Sequence, residues 1–300
     1  MAAKLDFNVE QIDPITMTGN EVVCQRDMMS PYVWRLDNGL YAMLVRAVPR
    51  PGESGDTGTI WYATSTDGLR FTATDAPVLS PGPGPDDIGG CEDPTPVFRP
   101  DGSVVIYYTG VDETRSHGEM LYAVGPSIDR LEKMGVAMPN TPSQGNIKEA
   151  TVDRTKNGGW RMFFEYAHHE ASRVGLAVSD DIAGPWTDEH DPFAPRSDSW
   201  DNWHLSTGPL LTIDKDMPVM FYNGATHDAR WRIGWVAFDA EYTQVVARGV
   251  EPLITPPPEA DRTATDIAFA ASVVVVDDQI WLYYSLWDTH LYRAIIRRST

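Results

Sequence analysis

The chain has 300 residues and a formal net charge of −19, and 42% of its residues are hydrophobic. This composition is ordinary for a globular chain with a large core and excludes a fibrous or disordered protein. Because so acidic a chain repels nucleic acid and anionic membranes, we expect neither as a partner. A neutral ligand such as a sugar suits it better, although solubility alone also explains the charge.

Targeting and cofactor signals are weak throughout the sequence. The N-terminal residues carry no apolar segment of signal-peptide length, and the longest apolar run, residues 267–276, has the length of a strand. Cys24 and Cys91 are the two cysteines, without metal-like spacing. We therefore expect a cytoplasmic protein without disulfide bonds. We predict no cofactor and no metal, since His168 and His169 lack a convincing third ligand.

The same order of strands recurs five times along the chain. In each unit a strand and a hairpin turn precede an aromatic, β-branched strand, and a strand of small residues follows after a loop. The aromatic runs are 42–46, 105–109, 162–165, 219–223 and 281–285. The small-residue runs are 61–64, 121–124, 175–178, 235–238 and 292–295. Turns such as Asn38-Gly39 and Asp101-Gly102 support hairpins, because these residues tolerate positive φ.

The length of the repeat predicts the architecture. Successive small-residue strands are 54 to 60 residues apart. Five antiparallel units of this size predict an all-β, five-bladed β-propeller that forms a single domain over residues 1–300. The fifth unit ends soon after its third strand, so we expect residues 5–12 to supply its fourth strand and close the ring. Two stacked β-sandwiches are the alternative, which five equal repeats fit less well.

Asp93 and Glu149 occupy equivalent places in neighbouring units. Each stands 14 residues before an aromatic-strand residue, Tyr107 and Phe163 respectively. The first strand of a propeller blade lines the channel, so we expect both carboxylates at one mouth of it. Two such carboxylates suit glycoside hydrolysis, in which one protonates the leaving oxygen and the other activates water or attacks the sugar. The alternative is that they cap turns or pair with basic neighbours.

Two charged residues interrupt the aromatic strands. Arg46 and Glu165 stand at equivalent points there, where charge is costly to bury. Arg46 beside a carboxylate can orient a base or bind a hydroxyl, or it can form a purely structural ion pair. Glu165 is the third candidate acid. The first and fourth units place Ser30 and Thr207 where the second and third carry acids.

Other polar and aromatic residues are candidates for substrate binding. They are Glu92, Lys148, Trp203, His204, Asn223, Asp228, Tyr284 and Asp288. Tryptophan stacks on sugar rings, and the polar groups can bind hydroxyls, while packing and turn capping are the alternatives. For Glu92, the choice is between a sugar ligand and a structural partner of Arg46.

The chain resembles the five-bladed propeller glycosidases, and most of all glycoside hydrolase family 130, the β-mannoside phosphorylases and hydrolases. The resemblance lies in Glu92-Asp93-Pro94, the arginine-ended strand 41–46 and the segments 203–224 and 282–289. It implies a manno-oligosaccharide or other glycoside substrate, inversion, and Asp93 as the catalytic acid, acting partly through a sugar hydroxyl. The oligomeric state stays open, with a homo-oligomer among the options.

Two departures from the family pattern favour hydrolysis over phosphorolysis. The usual Glu-Asp-Pro-Arg ends in Thr95 here, and a strand that commonly ends in His-Arg ends in Phe164-Glu165. A carboxylate in place of a phosphate-binding arginine repels phosphate and suits a base that activates water. We therefore expect a β-mannoside hydrolase with Asp93 as general acid and Glu149 or Glu165 as base. The alternatives are a phosphorylase that uses inorganic phosphate, a family 43-type arabinosidase or xylosidase with Glu149 as acid, and a non-catalytic glycan-binding propeller.

Overall fold

The computed structural model describes residues 5–50, 52–53, 55–258 and 266–299. Within these residues the chain is all-β, with 24 strands and two short helical turns. The N-terminal strands are β1 (Asp6–Pro14), β2 (Thr16–Thr18), β3 (Asp27–Arg35), β4 (Tyr41–Val48), β5 (Thr59–Ser65) and β6 (Arg70–Ala73), with helix α1 (Glu21–Cys24) before β3. A 3-10 turn (Pro85–Asp87) precedes β7 (Gly90–Phe98), β8 (Val104–Val111), β9 (Gly118–Ser127) and β10 (Arg130–Met138).

The remaining strands continue in the same manner. The third unit holds β11 (Gly145–Arg154), β12 (Trp160–His168), β13 (Ala171–Ser179) and β14 (Thr187–Asp188). The fourth holds β15 (His204–Ser206), β16 (Leu210–Leu211), β17 (Val219–Met220), β18 (Asn223–Ala225), β19 (Trp231–Ile233), β20 (Val236–Phe238) and β21 (Val245–Arg248). The fifth holds β22 (Ala268–Val276), β23 (Gln279–Leu286) and β24 (His290–Ser299). No helix among the described residues is long and apolar enough to cross a membrane.

The strands form six open sheets, and neighbours in the chain are mostly neighbours in the sheet. The strand orders are β2-β6-β5-β4-β3, β10-β9-β8-β7, β11-β12-β13-β14, β15-β18-β19, β16-β17-β20-β21 and β1-β24-β23-β22. The predicted pairing of aromatic with small-residue strands is confirmed in each unit, as in the antiparallel pair β8 and β9, where Tyr107 faces Tyr122. Buried side chains pack where units meet; Phe7, for example, lies 5.3 Å from the rings of both Phe221 and Trp235.

The N-terminal strand completes the last sheet, as the sequence predicts. Strand β1 runs antiparallel to β24, with Asp6 facing Ser299 and Pro14 facing Tyr292. The pairing extends two residues beyond the predicted end of the strand at residue 12. The two ends of the chain are therefore held in one sheet.

The fourth unit departs from the prediction of one continuous strand over 219–223. Its residues are divided between β17 and β18, which belong to different sheets. The facing segment contains Gly208-Pro209, and proline has no N–H to donate to a strand neighbour. A Cβ at Gly208 would lie 1.8 Å from the carbonyl oxygen of Phe221, so the backbones approach too closely there for any side chain.

Side-chain hydrogen bonds join each unit to the next, and the fifth to the first. The links are Ser30 Oγ to Asp93, Thr95 Oγ1 to the Ala150 carbonyl (2.6 Å), Thr151 Oγ1 to the Gly208 carbonyl (3.0 Å), Asn223 Nδ2 to the Ala270 carbonyl (3.2 Å) and Ser272 Oγ to the Pro31 carbonyl (2.7 Å). The linked residues lie in or beside the first strand of each unit, except Asn223. These side-chain hydrogen bonds therefore form a closed cycle through the five units.

Candidate active site

Three of the first strands carry the same backbone irregularity. Ser30, Asp93 and Glu149 have φ of 53°, 49° and 54°, and the pairing register of β3, β7 and β11 shifts at each of them. The equivalence of these positions, predicted from their 14-residue spacing, is confirmed. Left-handed backbone at a residue other than glycine is strained and clusters at functional sites. The bulge re-aims the side chain, which is how Asp93 and Glu149 come to line the same cavity.

The cavity has a volume of about 250 Å³. The predicted site residues that line it are Arg46, Glu92, Asp93, Lys148, Glu149, Glu165, His204 and Asp288. They come from all five units, so no single segment of the chain builds the site.

Arg46 is the cation at the centre of one side of the cavity. It donates to Glu92 and twice to the Thr57 carbonyl, at 2.8 and 3.1 Å. Its Nη1 lies 3.6 Å from Asp93 Oδ1, and 14% of its side chain is exposed. Burial works to lower the pKa of Arg46, but the carboxylates around it, Glu92 first, outweigh burial and raise that pKa. Arg46 is a fixed positive charge facing an acidic cluster.

Asp93 and Glu149 form a carboxyl pair. Asp93 is 7% exposed and accepts a hydrogen bond from the Ser30 hydroxyl. Burial, followed by the charge of Asp93, raises the pKa of Glu149 well above its usual range. Burial also raises the pKa of Glu92, against the opposing effect of Arg46. The pair therefore retains a proton at a pH where an exposed glutamate is ionised.

Glu165 lies in a different environment on the third unit. Its Oε1 lies 3.5 Å from Lys148 Nζ and accepts a hydrogen bond from the Ser172 hydroxyl at 2.9 Å. The charge of Glu165 raises the pKa of Lys148. The Glu165 carboxyl group therefore has a cation and a hydroxyl donor as neighbours, unlike the Asp93–Glu149 pair.

The wall that carries His204 is aromatic. Its imidazole lies 5.4 Å from the ring of Trp231, which makes an edge contact with Phe269 at 5.6 Å. His204 Nδ1 accepts a hydrogen bond from the Ser172 N–H at 3.1 Å, and burial lowers the pKa of His204. The neutral ring therefore presents its Nε2–H as a donor. A sugar ring presents C–H groups on its faces and hydroxyl groups around its edge, and this wall offers contacts for both.

Trp231, Phe269 and Ser172 line the cavity but escaped the sequence reasoning. Aromatic residues are so frequent in these strands that the sequence does not distinguish Trp231 and Phe269, which face the site, from the aromatic residues of the core. One signal was available for Trp231, which begins a strand directly after a loop rich in polar residues. Ser172 carried none.

Two predicted substrate-binding residues are structural, and those predictions are wrong in this structure. Asn223 is fully buried, and its amide bonds to the Thr207 carbonyl and to both backbone groups of Ala270. Tyr284 is 2% exposed and stacks on Tyr292 with ring centroids 5.7 Å apart. Neither lines the cavity: hydrogen bonds to the backbone hold the Asn223 amide, and Tyr284 faces the core because alternate residues of a strand face opposite sides.

Trp203 and Asp228 also lie outside the cavity. They line a separate open groove on the surface, together with His227. The Trp203 indole N–H donates to the Glu170 carbonyl at 3.2 Å. The predicted roles of these two residues in binding at the cavity itself are therefore not supported.

An all-β chain that gathers five carboxyl groups, two cations and an aromatic wall in one cavity has the site of a carbohydrate-active enzyme. A family model described as beta-1,4-mannooligosaccharide phosphorylase matches residues 10–298. The chain belongs to glycoside hydrolase family 130, and it is an enzyme acting on β-mannosides.

Individual relatives agree with this assignment. The chain is 28% identical over 267 residues to a 1,2-beta-oligomannan phosphorylase of Thermoanaerobacter sp. (strain X514), covering 87% of this chain and 86% of the relative. A beta-1,2-mannobiose phosphorylase of Listeria innocua has a TM-score of 0.76 at 17% identity, covering 96% of this chain and 91% of that one. A structure reported with family 130 glycoside hydrolases that target beta-1,2 mannosidic linkages in Candida mannan has a TM-score of 0.79 at 22% identity, with 98% and 94% covered.

Proposed function

We propose that the protein hydrolyses β-mannosidic bonds of manno-oligosaccharides with inversion. The observation that carries the proposal is the division of labour among three carboxyl groups. Burial and the charge of Asp93 raise the pKa of Glu149, whereas Glu165 lies beside the Lys148 ammonium and accepts a hydrogen bond from the Ser172 hydroxyl. Two carboxyl groups in such different environments suit the separate roles of acid and base.

In this mechanism the Asp93–Glu149 pair supplies the proton and Glu165 accepts one. Water attacks the anomeric carbon and gives its proton to Glu165. The bond from that carbon to the glycosidic oxygen breaks, and the leaving oxygen takes, through Asp93, the one proton that the Asp93–Glu149 pair holds. Of the two bases that the sequence left open, the raised pKa of Glu149 favours Glu165.

The charge of the cavity supports water as the acceptor. Its described lining contains five carboxyl groups, Glu92, Asp93, Glu149, Glu165 and Asp288, against two cations, Arg46 and Lys148. Each cation already pairs with a carboxylate of the cavity. An incoming phosphate dianion would compete with these carboxylates and meet a net negative site.

Phosphorolysis is the second candidate, and the names of the relatives favour it. Both curated relatives are phosphorylases, and so is the Listeria innocua protein of similar fold. In that case phosphate would take the place of the attacking water, and Lys148 and Arg46 are the cations of the cavity that would bind it.

One experiment separates the two. The protein is incubated with β-1,2- and β-1,4-mannobiose, with and without inorganic phosphate, and the products are followed by proton NMR. Hydrolysis gives mannose without phosphate, released first as the inverted anomer. A strict need for phosphate and the appearance of mannose 1-phosphate would overturn the proposal of hydrolysis in favour of phosphorolysis. Release of arabinose or xylose from aryl glycosides would favour the family 43-type activity, and tight binding without turnover a glycan-binding module.

We also propose that the five units are the blades of a five-bladed propeller. The support is the cycle of side-chain hydrogen bonds, which returns from Ser272 in the fifth unit to Pro31 in the first. A crystal structure would test this, and five units that fail to surround a common axis would refute it.

A further inference from the structure

One hairpin loop separates the cavity from the open groove. The loop between β18 and β19 turns its Ala229 toward the cavity, whereas Thr226, His227 and Asp228 line the groove on the other side. The neighbouring segment does the same, since His204 lines the cavity and the preceding residue, Trp203, lines the groove. The two depressions are therefore adjacent and share one wall.

The groove has the chemistry of a sugar-binding surface. The ring of Trp203 lies 4.7 Å from that of His227 in an edge contact, and its N–H is held by the Glu170 carbonyl. This anchoring leaves the indole with little freedom to lose on binding. The Thr226 hydroxyl donates to the Asp228 carboxylate, and Asn202 adds an amide to the same groove. Aromatic area bordered by hydroxyl, amide and carboxylate groups can contact both the C–H face and the hydroxyls of a sugar.

The cavity is too small to hold a long oligosaccharide. At about 250 Å³ it is smaller than the ~300–1,000 Å³ typical of pockets that enclose a whole ligand. An oligosaccharide longer than the part that reacts must therefore continue outside the cavity. The groove lies directly across the shared loop and offers further polar and aromatic contacts.

We propose that the groove lined by Asn202, Trp203, Thr226, His227 and Asp228 is a distal subsite for the sugar units of a β-mannoside beyond those held in the cavity. This inference rests on the proposed cleavage of manno-oligosaccharides, and it deepens it by assigning a preference for chain length. Contacts made away from the reacting bond tighten the binding of longer substrates and take no part in the chemical step.

The test measures binding by calorimetry in an inactivated Asp93→Asn background, with mannobiose and mannotetraose as probes. We expect the tetrasaccharide to bind about 10-fold or more tightly than the disaccharide. Adding His227→Ala or Trp203→Ala should remove most of that gain and leave disaccharide affinity within twofold. His190→Ala, an exposed histidine outside the groove, is the matched control and should change neither.

The outcomes distinguish the two proposals. Equal affinity for both chain lengths, or an undiminished gain in both groove variants, overturns the distal subsite while mannobiose binding leaves the cleavage proposal standing. Failure of the Asp93→Asn protein to bind either mannoside, with no turnover of either by the wild type, overturns both. Trp203→Phe provides a further check, because it keeps an aromatic face but loses the N–H that bonds to Glu170.

Discussion

Replacing Arg46 by methionine should destabilise the protein in a manner that depends on pH. The substitution leaves Glu92 and Asp93, whose side chains are 14% and 6% exposed, without their nearest cation. It also removes two hydrogen bonds to the Thr57 carbonyl. Breaking a buried ion pair from one side costs roughly 3–5 kcal/mol. Since both charged groups keep slight contact with solvent, we expect the lower end, about 3 kcal/mol at pH 8.

The sign of the pH dependence follows from the raised pKa of Glu92. Burial raises this pKa while Arg46 opposes the rise, so removing Arg46 raises it further. A carboxyl group with a raised folded-state pKa destabilises the fold as pH increases from the unfolded pKa toward the folded one. The loss in Arg46→Met should therefore be largest at pH 8 and should shrink toward pH 4, where the lost bonds to Thr57 still leave about 1 kcal/mol.

Thermal unfolding at pH 4, 6 and 8 measures this effect. At ~2–4 °C per kcal/mol for a large domain, the expected fall in Tm at pH 8 is about 6–12 °C. The control is the double variant Arg46→Met/Glu92→Gln, which should regain part of the loss because no unpaired charge remains at residue 92. A pH-independent loss, or a double variant less stable than the single one, would refute this account of the cluster.

Three further predictions concern the acids and the N-terminal strand. Asp93→Asn should lower kcat on mannobiose by about 10²–10⁴-fold with an unchanged circular dichroism spectrum, as removal of a general acid does; an active variant would contradict its role. Because burial and Asp93 raise the pKa of Glu149, Glu149→Gln should raise the free energy of unfolding at pH 8 but not at pH 4, as measured by urea titrations at both pH values. Deleting residues 1–12 removes most of the strand that pairs with β24 and takes Phe7 out of the core. Loss of the Phe7 side chain alone should lower the free energy of unfolding by roughly 3–5 kcal/mol, and an unchanged Tm would exclude the pairing.

The strands and the carboxyl pair were predictable because both follow from spacing. A repeat of aromatic and small-residue strands specifies the pairing, and counting 14 residues back from the aromatic strand finds the bulges at Asp93 and Glu149. The count works because each unit uses the same hairpin geometry. The count does not identify residues such as Ser172, which lines the cavity from the beginning of β13.

The errors arose where the direction of a side chain decides its role. Asn223 stands at the place that corresponds to Arg46 and Glu165, yet it turns to the backbone of Ala270 because its own strand is broken at this point. Tyr284 faces the core one residue away from Ser285, which lines the cavity. Neighbouring residues of a strand point to opposite faces of the sheet, and periodicity alone does not show which of the two faces lines the cavity.

The pairing of β1 with β24 has a consequence for how the protein is made. Strand β1 pairs with residues Tyr292 to Ser299, which are synthesised long after it. Until then β1 has an open edge, and Phe7 lacks part of its surroundings. This sheet can therefore close only after the intervening units have been synthesised, which makes its closure a long-range step of folding. A ribosome that stalls before residue 290 would leave an exposed strand edge, and with it a risk of aggregation.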